Sequence, residues 1–258
     1  MRRFFTTQTL QPIPCDLWLD PSETRHLRDS IRLRPGDACL VTDGHSGEAE
    51  AVVREFAPDG RTRLHVQKVL IKTSSFNDGI TLRVYPAMLR KGKTDLLVEK
   101  AQELGVHEFR PIVSEHCEIK IAKEKTVKIV ARWNHIAREA SKQSGNLKIL
   151  HVEVPQSFKE AIEHVACDEP IVIFHPGGSS LSFSQWLEGV RGLKGRITAL
   201  NLFIGPEGGF SEKEIRWVQR RRGEKNLYFV ELGEVLFKAD TALIGIVAAL
   251  RFSGILSA

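Results

Sequence analysis

The 258-residue sequence lacks a long hydrophobic run and has few cysteines. Its most apolar stretch, Thr241 to Leu250, ends at Arg251 and is far shorter than the roughly 20 residues that a membrane-spanning helix needs. The four cysteines are widely separated and form no Cys-x-x-Cys pair, and the histidines show no ligand-like spacing. This pattern argues against a zinc site and against a secreted disulfide framework. We therefore expect a protein without a membrane span or a metal, with reduced thiols.

The sequence also lacks a signal-peptide core, an internal repeat and a low-complexity tract. The basic start is followed at once by Thr6, Thr7, Gln8 and Thr9, which interrupt any apolar core. With 42% hydrophobic and 27% charged residues, the composition is that of an ordinary globular protein. We expect a cytoplasmic location and two domains.

The basic excess is local. The net charge is +5, but residues 1–72 carry 11 basic and 10 acidic side chains, whereas residues 110–148 carry 9 basic and 4 acidic ones. Such a window is consistent with a solvated helix face, which charge alone favours, or with a surface that contacts phosphates.

The first 70 residues predict a small β-barrel. Short alternating segments lie at 17–19, 38–41, 49–53 and 63–71, separated by turn sequences at 34–37, 43–44 and 58–60. Ser22 can cap one helix that extends to about Arg32. The polar segment from Lys72 to Gly79 is the expected linker.

The remainder predicts an α/β domain with a parallel sheet, because strand and helix patterns alternate. The expected strands are Thr81–Pro86, Phe109–Val113, Pro170–Phe174, Leu200–Ile204 and Leu227–Glu231. One helix is expected to begin at Thr94 and stop at Gly105, and another to run from Val127 to Lys142. The last helix, Leu243–Phe252, is apolar on nearly all sides, so it must be buried in the core or against another chain.

Three of these strands end in loops of unusual composition, at 175–180, 205–215 and 232–242. Open α/β sheets bind ligands just beyond the carboxyl ends of their strands, so all three loops are candidates. In the second loop Ser211 and Glu214 form a capping-box pattern, and the glycines before it permit close approach of a ligand to the main chain. A tight strand-to-helix turn is the alternative. A triphosphate is disfavoured, because the loop lacks the Lys-Ser/Thr ending and carries Glu207.

The Gly-Pro-Glu-Gly-Gly-Phe-Ser loop at 205–211, followed by a Leu-Gly loop that ends in Thr241-Ala242, resembles the SPOUT class of knotted RNA methyltransferases. Within that class the chain resembles the ribosomal small-subunit RNA uridine N3-methyltransferase family. The similarity includes residues 1–5, 26–27, 32–37, 43–44, 93, 99–106, 139–140 and 143–144. The chain departs from the family pattern at 235–238 and Asp240, at Lys142 and Asn146, and at His116-Cys117 where the family has Arg-Ser.

The resemblance implies a PUA-like, RNA-binding β-barrel over residues 1–73 and a SPOUT domain with a deep trefoil knot over residues 79–258. It implies methylation of uridine N3 in small-subunit ribosomal RNA, free or in the assembled subunit, and a homodimer formed through the last helix. It also implies S-adenosylmethionine bound between the three loops. The expected cofactor residues are His175, Ile204, Gly205, Pro206, Glu207, Gly208, Gly209, Leu232, Gly233, Leu236, Phe237, Lys238 and Thr241.

Methylation at N3 requires loss of a proton, so a base or an anion-stabilising cation is needed. Asp240 or Glu207 could accept the proton, and Lys238 or Arg138 could stabilise the anion. The expected phosphate contacts are Arg2, Arg3, Arg25, Arg28, Arg32, Arg132 and Lys142, together with Arg138. Two alternatives stay open. One is a SPOUT-fold RNA-binding protein, or a methyltransferase with an altered RNA target or lost activity; the other is an unrelated α/β enzyme with a barrel appendage.

Overall fold

The computed structural model describes residues 2–10, 13–44, 47–71, 79–90, 92–119, 123–146, 148–177, 180–193, 196–221, 223 and 226–256. The chain divides into two compact units. The first comprises Met1–Asn77 and Ser141–Ile149, and the second comprises Asp78–Ala140 and Leu150–Ala258. The linker predicted at Lys72–Gly79 lies outside the described residues except for Gly79, as do Gly178 and Ser179 of the first candidate loop.

The first unit is built on a five-stranded sheet. Its strands are β1 (Arg3–Phe5), β2 (Cys15–Leu19), β3 (Ala38–Thr42), β4 (Glu48–Phe56) and β5 (Thr62–Ile71), in the order β1-β3-β4-β5-β2. β1 pairs with β3 in parallel, and the other neighbours are antiparallel. Three register shifts between β4 and β5 curl the sheet, because each bulge bends its strand and increases the twist.

The core of this unit follows from the alternation of its strands. In β4 the side chains of Ala49, Ala51 and Val53 are fully buried, whereas Arg54 on the opposite face is exposed. Leu17, Leu19 and Leu64 from β2 and β5 join the same core. The four predicted strands are therefore confirmed, although each is longer than expected and β4 differs most. The prediction did not include β1.

A short helix interrupts the strands, with a start that differs from the prediction. Helix α1 (Pro21–Arg25) continues into a π-helical turn, His26–Ser30. Asp20, not Ser22, is the N-cap, and its side chain accepts hydrogen bonds from the backbone N–H groups of Ser22 and Glu23. Pro21 explains the difference, because a proline suits the first helical position and leaves the residue before it as the cap.

The second unit contains a seven-stranded parallel sheet. The strands are β6 (Thr81–Pro86), β7 (Glu108–Phe109), β9 (His151–Val152), β11 (Ile171–Phe174), β12 (Leu181–Ser182), β13 (Ala199–Ile204) and β14 (Leu227–Glu231). Their order in the sheet is β12-β14-β11-β13-β6-β7-β9. Every residue of β11 and β13 is buried, as continuous apolar runs in central strands require.

The prediction of one strand over Phe109–Val113 is wrong. Arg110 and Pro111 divide it into β7 in the main sheet and β8 (Ile112–Val113), which pairs with β10 (Gln156–Ser157) in a separate two-stranded sheet. A proline has no N–H to donate to a ladder, so a strand ends readily at such a position.

The helices of this unit are α2 (Lys93–Glu103), α3 (Lys123–Ser144), α4 (Phe158–His164), α5 (Phe183–Gly192), α6 (Glu212–Gln219) and α7 (Ala239–Phe252). The last four residues of α3, 141–144, belong to the first unit. Thr94 does not cap α2. The N-cap is Gly92, and the Thr94 hydroxyl donates to the carbonyl of Leu89. Gly105, with a φ of +73°, follows the end of α2 as predicted.

Helix α7 begins four residues earlier than predicted, so the third loop ends at Lys238. Asp240 and Thr241 therefore lie in the helix. One face is buried through Ala242, Leu243, Ile246, Val247 and Leu250, and the helix packs on α2 and β13. The opposite face is exposed in the single chain: Thr241 and Gly245 are exposed, and Phe252 is 83% exposed. Within the described ranges, no helix combines the length and apolarity that a membrane crossing requires.

Candidate active site

The central strands of the second unit end at the same level. β11 pairs in parallel with both β13 and β14, and its last residue, Phe174, lies opposite Ile204 on one side and Val230 on the other. The loops that follow these three strands therefore start side by side. They enclose a cavity of about 280 Å³, slightly below the ~300–1,000 Å³ typical of ligand sites.

Most of the residues predicted to bind a cofactor meet in this cavity. The lining residues from that set are His175, Ile204, Gly205, Pro206, Glu207, Gly208, Gly209, Leu232, Gly233, Leu236 and Phe237. Phe174, Phe210, Val230, Glu231, Val235, Ala239 and Ala242 also line it, together with Pro176. Sequence reasoning did not select these residues, although several directly adjoin a selected one and Val230 is the penultimate residue of its strand.

Two predicted cofactor residues, Lys238 and Thr241, do not line this cavity, and neither does any of the three predicted catalytic residues, Lys238, Arg138 and Asp240. Lys238 is exposed at the N-cap of α7, and Thr241 lines a neighbouring cavity of about 260 Å³ with Phe183, Gly245 and Ile246. The two cavities share Leu232, Phe237 and Ala242. Arg138 is exposed on α3 and lines neither of them.

The main chain itself forms much of the wall. At Gly205 an added Cβ would lie 3.2 Å from the backbone N of Phe210 and 3.3 Å from Gly209, so a side chain would displace the loop. Gly209 has a φ of +67°, a conformation that side chains disfavour. The shape of the loop therefore favours glycine at positions 205 and 209.

The loop ends in a buried capping box at the start of α6. The Ser211 hydroxyl accepts from the Glu214 N–H at 3.1 Å, and the Glu214 carboxylate accepts from the Ser211 N–H at 2.9 Å. The second Glu214 oxygen accepts from the backbone N–H of Glu115 at 3.0 Å. Phe210, just before the N-cap, and Ile215, in the first turn, occupy the two positions of a hydrophobic staple, and both are buried. The predicted helix start is thus confirmed.

Charged groups gather beside the glycine loop. The Lys93 ammonium lies 2.5 Å from a carboxylate oxygen of Glu207 and 3.9 Å from Asp240. Its hydrogen bond lowers the pKa of Glu207, and in return the pKa of Lys93 is raised. Lys93 follows β6, the neighbour of β13, so a fourth strand end contributes to this region. The sequence alone gave Lys93 no role because the order of the strands was unknown.

His175 presents a buried polar atom without a partner. Its Nδ1 has no hydrogen-bond partner in the part of the chain that the structure describes, and burial lowers the pKa of the ring, which favours the neutral form. A buried, unpaired polar atom is costly, so its presence in a cavity wall is typical of a ligand contact. By contrast, the described residues contain no group of three or more His, Cys, Asp or Glu side chains placed to hold a metal ion.

The comparisons with known proteins address the region that contains this cavity. The RNA methyltransferase domain family matches residues 77–251, more than half of the chain. The chain belongs to the RNA methyltransferase family. Ribosomal RNA small subunit methyltransferase E of Bacillus subtilis is 26% identical, with 98% of this chain and 96% of that protein covered. The Synechocystis protein of the same name is 27% identical over 90% of this chain and 71% of its own length.

Solved structures show that the fold of this RNA methyltransferase is shared. Ribosomal RNA small subunit methyltransferase E from Neisseria gonorrhoeae, bound to S-adenosyl methionine, superposes with a TM-score of 0.81. It is 20% identical, and the alignment covers 98% of each chain. The predicted mixed α/β architecture with a parallel sheet is thereby confirmed.

The Lys93 contact makes a prediction about the charge of Glu207. Replacing Lys93 with Met removes the hydrogen bond that lowers the carboxyl pKa, so we expect the pKa of Glu207 to rise towards its usual range. Carboxyl-detected NMR titration of the wild type and Lys93→Met measures the change. Lys100→Met, which removes an ammonium that pairs with Glu99 and Glu103 instead, is the matched control. An unchanged Glu207 titration in Lys93→Met would contradict the assignment.

Proposed function

We propose that this chain transfers a methyl group from S-adenosylmethionine to N3 of a uridine in small-subunit ribosomal RNA. The cavity at the three strand ends carries the proposal, since it lies within the matched RNA methyltransferase region and has a glycine-rich wall. The names of the Bacillus and Neisseria relatives support the ribosomal substrate, and the Neisseria structure supports the cofactor. The proposed substrate implies a cytoplasmic location.

The residues of the cavity fit this cofactor. Ile204, Leu232 and Leu236 offer apolar surface to a flat adenine ring, and the loop containing Gly205 brings backbone amides close to it. The Nδ1 of His175, which has no partner among the described residues, offers one polar contact. We keep Lys238 and Thr241 among the proposed cofactor residues. Thr241 lines the adjoining cavity, and Lys238 directly follows Phe237, which lines both cavities.

When bound, S-adenosylmethionine supplies an electrophilic methyl group. The uridine must lose its N3 proton, and we assign the acceptor to Asp240. The direct hydrogen bond from Lys93 lowers the pKa of Glu207 and makes that carboxylate a weaker proton acceptor, whereas the Asp240 carboxylate lies 3.9 Å from the ammonium. Lys93 adds a fixed positive charge beside the cavity to the proposed anion stabilisers Lys238 and Arg138.

The two units support the proposed domain roles. The curled five-stranded sheet supports a PUA-like, RNA-binding barrel over residues 1–73, and the parallel sheet supports a SPOUT domain over residues 79–258. β13 lies between β6 and β11, and α7 returns against α2 and β13. We propose the deep trefoil knot from the family resemblance, and this strand order and the packing of the last helix agree with it.

The transfer assay tests the function directly. We expect the wild type to move tritiated methyl groups from S-adenosylmethionine onto unmodified small-subunit RNA or assembled subunits, and mass spectrometry of the nucleosides to show 3-methyluridine. Asp240→Asn should lower kcat by about 10²–10⁴-fold, the usual contribution of a positioned base, with little change in cofactor affinity. Glu212→Gln, an exposed carboxylate at the start of α6, is the control.

Cofactor binding without transfer to either substrate would favour an RNA-binding protein that has lost turnover. Absence of cofactor binding would contradict the proposed use of S-adenosylmethionine by this member of the RNA methyltransferase family. Transfer to another atom or base would indicate an altered RNA target.

The basic residues proposed to contact RNA differ in their availability. Arg2, Arg25 and Arg32 are exposed, and Arg28 is exposed beside Asp29. Arg3 and Lys142 are largely buried in ion pairs with Glu48 and Glu23, and Arg132 pairs with Asp95. The exposed residues are therefore the strongest members of the set.

Removing exposed arginines should weaken RNA binding without regard to base sequence. For Arg25→Ala combined with Arg32→Ala, we expect lower affinity for every RNA tested. The slope of the logarithm of the binding constant against the logarithm of the salt concentration should become shallower by about one for each lost phosphate contact. Filter binding across a salt series measures both. Arg191→Ala, an exposed arginine on α5, serves as the control. An unchanged affinity at low salt would show that Arg25 and Arg32 do not belong to the RNA-binding surface.

The exposed face of α7 supports a homodimer. Phe252 and Gly245 lie on this face, and an extended apolar helix surface is typical of an interface. We expect light scattering at micromolar concentration to show a dimer, and Phe252→Glu to shift it towards monomer by placing a charge in the interface. Val154→Glu, at an exposed position outside α7, should leave the mass unchanged. A monomeric wild type would contradict the proposal.

A further inference from the structure

We infer that His116 is a positioning residue that holds the glycine loop at 205–210 in its cofactor-binding shape. The inference rests on the proposed function of the cavity. His116 Nδ1 lies 3.0 Å from the carbonyl oxygen of Gly208 and 3.1 Å from that of Gly209. His116 does not line the cavity, so it acts through the loop.

The chemistry of these contacts assigns the ring proton. A carbonyl oxygen only accepts hydrogen bonds, so Nδ1 must carry a hydrogen and share it between the two oxygens. This donation is possible in the neutral Nδ1–H tautomer and in the protonated ring. The contact therefore fixes the tautomer of the neutral side chain.

The backbone around His116 is anchored on both sides. The N–H of Glu115 donates to the buried carboxylate of Glu214, which belongs to the capping box at the end of the glycine loop. On the other side, the buried Cys117 Sγ lies 3.3 Å from the backbone N of Ser114 and 3.8 Å from the carbonyl oxygen of Ile112. His116 therefore extends from a fixed segment towards the glycine loop, whose backbone dihedral angles are only weakly restricted by its sequence.

The glycine loop needs such a restraint. Consecutive glycines have more conformational freedom than other residues, and Gly209 adopts a φ of +67°. Within the loop, the Gly209 N–H donates to the carbonyl of Pro206 at 2.8 Å. The contact from His116 to the Gly208 carbonyl holds the other end of this same peptide plane, and the contact to the Gly209 carbonyl holds the next plane.

The orientation of one peptide plane links His116 to the cavity. In a trans peptide the N–H points opposite to the C=O, so holding the Gly209 carbonyl towards His116 directs the Phe210 N–H to the other side. The Phe210 nitrogen adjoins Gly205 in the cavity wall, since a Cβ added at Gly205 would lie 3.2 Å from it. His116 therefore determines where a backbone donor meets the cavity wall.

The experiment uses side chains that differ in where they place a donor. An asparagine amide nitrogen can occupy roughly the position of Nδ1, whereas a glutamine places its amide one methylene further out. Calorimetry gives the affinity for S-adenosylmethionine of the wild type, His116→Ala, His116→Asn and His116→Gln. Hydrogen exchange of a peptide spanning 205–211, measured without cofactor, reports the order of the loop itself. His151→Ala, an exposed histidine that pairs with Glu153, is the matched control.

We expect His116→Ala and His116→Gln to weaken cofactor binding about tenfold, which corresponds to about 1.4 kcal/mol, and to accelerate exchange in the loop. His116→Asn should remain within about twofold of the wild type, a difference well below 1 kcal/mol, and His151→Ala should match the wild type. Equal affinity and exchange in the wild type and His116→Ala would overturn the inference. So would an asparagine variant as weak as the alanine variant.

The two hypotheses fail in different ways. A wild type that binds no S-adenosylmethionine contradicts the proposed function, while the exchange rates still test whether His116 orders the loop. If the wild type binds S-adenosylmethionine and the His116 variants change neither the affinity nor the exchange rate of the loop, only the role of His116 is contradicted.

Discussion

The parallel pairing of β11 with two neighbours is the constraint on which the site depends. Phe174 stands level with Ile204 and Val230, so three chain segments distant in sequence emerge at one edge of the sheet. The register leaves little freedom, because every residue of β11 and β13 is buried and a shift by one position would turn each side chain to the opposite face. The cavity is therefore as rigid at its base as the sheet core is.

Above that base, rigidity comes from contacts that cross between loops. The capping box of α6 accepts a backbone N–H from Glu115, Lys93 bonds Glu207, and His116 donates to the two glycine carbonyls. A glycine-rich loop allows a ligand close to the main chain but has few side chains that could hold it in place. Here the neighbouring segments supply that support. Within the described residues, the apolar loop residues Leu236 and Phe237 have no comparable hydrogen bonds, and Leu236 is 86% exposed.

Local signals in the sequence were sufficient for much of the fold. The central strands, the end of α2 at Gly105 and the capping box at Ser211 were all predicted, because each depends on residues within a few positions of one another. The errors were also local. Pro21 moved the first cap to Asp20, Gly92 replaced Thr94 as the start of α2, and Pro111 divided a strand. In the candidate site, the loops that follow predicted strands were found, whereas Lys93 and His116 were not given roles. Their contacts depend on the order of strands in the sheet and on long-range packing, which no local pattern contains.

The first unit is not a continuous piece of chain. Residues Ser141–Ile149 belong to it, the buried Lys142 ammonium pairs with Glu23 at 2.6 Å, and Ile149 lies against Gly44. A single crossover after residue 73 would therefore transfer residues 1–73 without the 141–149 segment that packs with them. The buried Glu23 carboxylate would then lie beside whichever residue the other parent protein has at the position of Lys142. Exchange of the first unit between relatives therefore preserves its packing only when both stretches are replaced together.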